Sequence, residues 1–204
     1  MYTFRVEIHS DGLLIVGSYD LPNFRRVSDA LNSRIQRYVS LRDVTIAPQS
    51  QQQYIQRIPQ LLVDWGNATL VAILEEPPPP PDFQGATLPR ATMPMMFFTQ
   101  SFALRANFYK RSDMGLQTAL DAVNDDFIPL SNAQIFPLNG GPPLNRNFVC
   151  IRRDRIFAMY NTQPIASMPD DALTTPPPEP VASEPSEAQT SEVQAGDGGM
   201  RDEE

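Results

Sequence analysis

A chain of 204 residues with a single cysteine, Cys150, has room for one ordinary domain or two small ones and excludes an intramolecular disulfide framework. Its formal charge of −8 is carried by one end: ten acidic residues lie past Asn161 against Arg201 alone, which leaves the first 160 residues at +1. A body so nearly neutral is not drawn nonspecifically to nucleic acid or to an anionic membrane.

In chain order, Tyr2, Phe4, Val6 and Ile8 alternate with Thr3, Arg5, Glu7 and His9, the period of a half-buried strand whose polar side, His9 included, faces solvent. The turn residues SDG at 10 to 12 then lead into LLIVGSY, so a β-hairpin is expected. VSDALNSRI holds two helical turns, with Ser28 as N-cap and Asp29 in the first turn. RYVSL, DVTIA, PQLLVDW and TLVAIL follow as short strands. About six strands and one short helix in residues 1–74 suggest a small barrel or sandwich.

Five consecutive prolines at 77 to 81 favour an extended polyproline segment, so residues 75–95 are read as a Pro-rich linker. Beyond it Met96, Phe98, Phe102, Leu104, Ala106 and Phe108 alternate with polar residues, GLQTALDAVN offers a second short helix, and FIPL, NAQIF, NFVCI and RIFAMY supply further strands. Residues 26–48 align without a gap on 115–137: Ala30, Leu31, Leu41, Ile46 and Pro48 meet Ala119, Leu120, Leu130, Ile135 and Pro137. A loop contraction of three residues then brings the last strand pair of each half together. The expectation is a tandem duplication, a mainly β chain of two small barrel or sandwich domains at 1–74 and 96–163.

The segments RRVSDALNS, YVSLRDVTI and IPQLLVDWGNATLVAI resemble an uncharacterised family of small bacterial β domains of unknown function, frequent in Chloroflexota. The resemblance implies architecture and brings no established activity. The second half departs from the pattern, with Gln117 and Thr118 in place of Ser28 and Asp29, Asp121 in place of Asn32 and Asn132 in place of Asp43.

Chemistry-bearing residues are few. His9 is the only histidine and has no Cys or His neighbour, so neither a hydrolytic triad nor a zinc site is indicated, and no cofactor or metal is expected. Cys150, inside NFVCIRR, reads as a small core hydrophobe. LNGGPP at 138 to 143 lacks the lysine and the strand-to-helix setting of a phosphate loop and reads as a tight turn.

The most functional-looking stretch is RRDR. Arg152, Arg153 and Arg155 are candidates for gripping phosphate, against the plainer reading of a solvated turn. Trp65, at the equivalent turn of the first half, is a candidate binding aromatic, with packing at the sheet end as its alternative. Asp64, Asp125, Asp126 and Asp154 would serve an enzyme only if at least two converged in a cleft.

Residues 164–204, rich in Pro, Glu, Ser and Ala, are expected to form a disordered acidic tail. The opening residues MYTFRVEIHS lack an apolar leader run, and the longest aliphatic run, Leu13 to Val16, is far short of the roughly 20 residues that span a bilayer. A soluble cytoplasmic, non-enzymatic adaptor that binds an unknown protein partner is the expectation, with an Sm-like or OB-like nucleic-acid binder using the Arg152 to Arg155 turn as its rival.

Overall fold

Period-two alternation builds the first hairpin. β1 (Tyr2–His9) turns Phe4, Val6 and Ile8 inward and pairs antiparallel with β2 (Leu13–Leu21) across a turn in which the Ser10 N–H donates to the Leu13 carbonyl at 3.0 Å. After the helix α1 (Val27–Asn32) come β3 (Tyr38–Pro48), β4 (Gln56–Asp64), a 3-10 turn at Trp65–Asn67 and β5 (Leu70–Glu75). The second half runs β6 (Arg90–Phe98), β7 (Phe102–Arg111), α2 (Leu116–Asp121), β8 (Phe127–Pro137), β9 (Leu144–Arg152), a 3-10 turn at Arg153–Arg155 and β10 (Ala158–Asn161). This computed structural model describes residues 1–33, 37–49, 54–83 and 90–162.

All ten strands lie in one antiparallel sheet, in the order β10-β6-β7-β8-β9-β5-β1-β2-β3-β4. Each half repeats one internal order, with the fifth strand beside the first and the second, third and fourth following. The correspondence reaches the ladder itself. Tyr2 opposite Leu21 becomes Ala91 opposite Lys110, 89 positions on, and Tyr38 opposite Asp64 becomes Phe127 opposite Arg152, the fourth strand now shifted by 88. The bulge between Val16 and Ser18 recurs between Arg105 and Asn107. Opposite it, Asp43 and Asn132 both have φ of 50°. Asp and Asn tolerate that left-handed backbone better than other side-chain-bearing residues, and one such residue bends a strand without ending its ladder.

β5 and β9 join the halves through three pairs, Leu70 opposite Ile151, Val71 opposite Cys150 and Ala72 opposite Val149. Two apolar clusters flank this seam. Phe4, Val6 and Leu41 centre the first, and Phe97, Leu104 and Ile135 the second. Along the seam the side chains alternate between them: Val71 and Cys150 enter the first cluster, whereas Leu70, Ala72, Val149 and Ile151 enter the second. Both faces of these two strands are therefore covered, which is why LVAI and FVCI read as unbroken apolar runs.

Several expectations differ from what is observed. RYVSL with DVTIA, and FIPL with NAQIF, are single strands, because Asp43 and Asn132 bend the chain without stopping it. The loop of the second half is shorter by one residue, not three, since β3 to β4 spans Pro48 to Gln56 and β8 to β9 spans Pro137 to Leu144. Ser28 is not the N-cap: Arg26 holds that place without a side-chain hydrogen bond, and Ser28 is buried inside the first turn.

Met96 and Phe98 are not the core face of β6. Met95 and Phe97 are, because the turn at Thr99 to Phe102 interrupts the alternation between β6 and β7. The boundaries drawn at 74 and 96 also move, as β5 runs through Glu75 and β6 begins at Arg90. The described residues belong to one compact unit. The expected acidic tail at 164–204 lies outside the described residues. Among those described, no helix is long and apolar enough to cross a membrane.

Candidate functional site

Several charged and polar side chains of the described residues gather along the seam. At one end, the 3-10 turn after β4 is capped by Asp64, whose Oδ1 accepts from the Gly66 N–H at 2.8 Å while Oδ2 accepts from Arg37 Nε at 3.0 Å. A Cβ on Gly66 would meet Asp64 Oδ1 at 2.9 Å, so a larger residue there would make the capping carboxylate shift. The Gly66 N–H, foremost, and the Arg37 guanidinium hold the Asp64 carboxyl below its usual range. Both its oxygens are committed to structure.

From the second half Arg152 reaches the same turn. Its Nη1 donates to the Trp65 carbonyl at 3.0 Å, its Nε donates to Asp154 at 2.7 Å, and its guanidinium lies over the Phe127 ring at 5.7 Å. Asn32, at the end of α1, closes the gap from the other side. Its amide donates to the Phe127 carbonyl at 3.0 Å and its Oδ1 accepts from the Phe127 N–H at 2.8 Å. Arg37, Asp64, Trp65, Phe127 and Arg152 rim an open hollow of about 350 Å³ lined also by Asp126 and Leu31.

Of the residues singled out in the sequence, Trp65 and Arg152 meet in this hollow, and so do Asp64 and Asp126. Trp65 is buried, edge-on to Tyr19 at 5.7 Å, and forms a wall, not an exposed stacking platform. Arg153 and Arg155 point elsewhere, Arg153 donating to the Val123 carbonyl and Arg155 lying 3.4 Å from Asp11. All three arginines of the turn are thus engaged within the chain, and Asp154 serves one of them. Asp125 is exposed and does not line the hollow. Among the described residues, no three His, Cys, Asp or Glu side chains come together in a way that would hold a metal ion.

Farther along the seam is a group that sequence reasoning missed. Glu7 and His9 are buried, contrary to the expectation that the polar side of β1 meets solvent. His9 Nε2 lies 2.8 Å from Glu7 Oε1, and Arg146 of β9 clamps the same carboxylate with Nε and Nη2 at 3.0 and 2.6 Å. The His9 ring packs edge-on to Phe102 of the second cluster at 5.1 Å. Burial by itself would raise the Glu7 carboxyl, but the hydrogen bonds from His9 and Arg146 outweigh it and bring it from 4.5 to about 2. Cys150 is fully buried as expected, and burial pushes its thiol up, away from the reactive thiolate. The ionic and polar groups of the seam fasten one half to the other. In comparisons with known proteins, no family model, no curated protein and no solved structure matches the chain.

Proposed function

We propose that the chain is a non-enzymatic binding protein, that its halves descend from one duplicated module of the small β-domain kind its motifs resemble, and that it engages a protein partner through the two open edges of its sheet. One observation carries this reading. The edge strands β4 and β10 and the residue before β10 present Leu62, Tyr160 and Phe157, all exposed, on sheet edges that no further strand of the described residues pairs with. Open edges bearing large apolar side chains are sites where another chain adds a strand, since the unpaired N–H and C=O groups supply affinity and the side chains supply selectivity. The equal ladders of the two halves, down to the shared bulge, support the duplication. The committed oxygens of Asp64 and the internal engagement of Arg152, Arg153 and Arg155 favour binding at the edges over chemistry or phosphate recognition in the hollow.

A photo-crosslinking residue placed at Leu62 or Tyr160 of the full chain is expected to trap a discrete protein partner, whereas the same residue at exposed Asn124 traps none. Equal capture from all three positions would remove the edges as the binding surface.

A further inference from the structure

The seam between β5 and β9 is a worked example of how this sheet accepts another module, and the chain carries one unused copy of each side of it. β10 is the counterpart of β5, and β4 is the counterpart of β9, each at a spacing of 88. These two strands are the two ends of the sheet. We infer that the partner is a second copy of this chain, with β10 of one molecule pairing antiparallel to β4 of the next in the register of the internal seam. This deepens the edge-binding reading above and rests on it.

The register follows from the internal one. Leu70, Val71 and Ala72 opposite Ile151, Cys150 and Val149 become Ala158, Met159 and Tyr160 opposite Val63, Leu62 and Leu61 of the neighbour. Pro59, which lacks an N–H, corresponds to Asn147 and lies outside those three pairs, so it shortens the edge without blocking this junction.

Exposure points to the same join. On the β4 side, Leu62 is 66% exposed and Tyr38 56%, while their counterparts Cys150 and Phe127 are 0% and 1% exposed because the first half covers them. On the β10 side, Phe157 at 72% and Tyr160 at 51% correspond to Thr69 and Ala72, at 2% and 0% under the second half. Phe98, Phe157 and Tyr160 form one aromatic group there, with centroids 6.3 and 6.1 Å from Phe98. Leu13, also exposed, corresponds to Phe102, the residue on which His9 packs.

The polar clamp has an apolar replacement at the outer join. Glu7 and Arg146 correspond to Met96 and Ile58, both half-buried, so the new junction would seal with a hydrophobic contact where the internal one uses an ion pair. Asp121, the counterpart of Asn32, keeps an oxygen able to accept from the Tyr38 N–H of the neighbour. Because unlike edges meet, the contact is head-to-tail and propagates into a ring if the rotation closes and into a filament if it does not.

Sedimentation of the purified full chain over a concentration series is expected to show oligomers that dissociate on dilution. Leu62→Asp and Tyr160→Asp are each expected to sediment as monomers whose thermal unfolding matches that of the wild type at high dilution. Mixed together they should form a dimer and nothing larger, since each retains the one good edge the other lacks. A second variant, Leu62→Cys with Met159→Cys, should give a ladder of disulfide-linked chains on oxidation, and Val71→Cys, opposite Cys150, supplies the intramolecular control. A wild-type chain that stays monomeric at its highest soluble concentration, with no ladder, overturns self-association. If crosslinks at Leu62 then trap a different protein, the edge-binding reading stands while this inference falls; if they trap nothing, both fall. A wild-type oligomer whose two edge variants fail to complement each other also overturns the head-to-tail join.

Discussion

Glu7 shows how a carboxylate survives between two apolar clusters. Arg146 covers it from β9, His9 donates from two positions along its own strand, and removing either partner leaves a buried anion under-satisfied. Its carboxyl lies near 2 in the folded chain against about 4.5 when free, so its stabilising contribution is complete above pH 4.5 and is lost as the pH falls towards 2. That shift corresponds to about 3 kcal/mol. Glu7→Gln is expected to lower stability at pH 7 by about that amount, and the gap between the urea unfolding curves of the two proteins should close as the pH is taken from 5 to about 2.5. A gap independent of pH would show that the carboxylate charge is not what matters. His9 and Glu7 were visible in the sequence as the polar side of a strand. Alternation reports which side faces away from the nearer core, and carries no information that a second half lies against that side.

At the level of elements, the bend in β3 and β8 and the clamp from α1 do the positioning. Gly17, on β2 opposite the bend, has Leu41 Cβ 3.1 Å and Val44 Cγ2 3.2 Å from where a Cβ would stand, so Gly17→Ala makes these side chains give by a few tenths of an ångström and is expected to cost about 1 kcal/mol. Asn32 satisfies both backbone groups of Phe127 across the seam. Asn32→Ala should therefore destabilise the chain by about 1–3 kcal/mol, while Asp121→Ala, at the matching place on α2, should stay within about 0.5 kcal/mol in dilute monomer. Chemical denaturation of the two variants side by side makes the comparison, and equal losses would mean that Asn32 acts through its own helix and not through Phe127. The hairpins, the short helices and the closing strands were legible from alternation and turn residues. The bend residues were not read as such, because Asp43 and Asn132 look like ordinary strand breaks until the ladder is seen to resume beyond them.

For the whole molecule, the seam decides what can fold alone. A chain ending after Glu75 would leave Leu70 and Ala72 without the second cluster and Glu7 without Arg146. Residues 1–76 expressed alone are expected to aggregate or to lack cooperative unfolding, and co-expression with residues 77–204 should restore a soluble pair. A stable, monomeric first half would show that the seam is dispensable. The matching strand order of the two segments was foreshadowed by Ala30, Leu31, Leu41, Ile46 and Pro48 and the residues they align with. That they share one sheet could not be read there, since strand order across a connection leaves no mark on local periodicity.

The ion pair at the seam also decides which modules can be exchanged. Should a neighbouring molecule offer its β4 to the β5 of another chain, Ile58 would arrive where Arg146 belongs, and Glu7 would be shut away with no cation to answer it. Replacing a second half by a neighbour's first half is thereby penalised at the inner junction and left open at the outer one, so β5 selects a β9 over a β4.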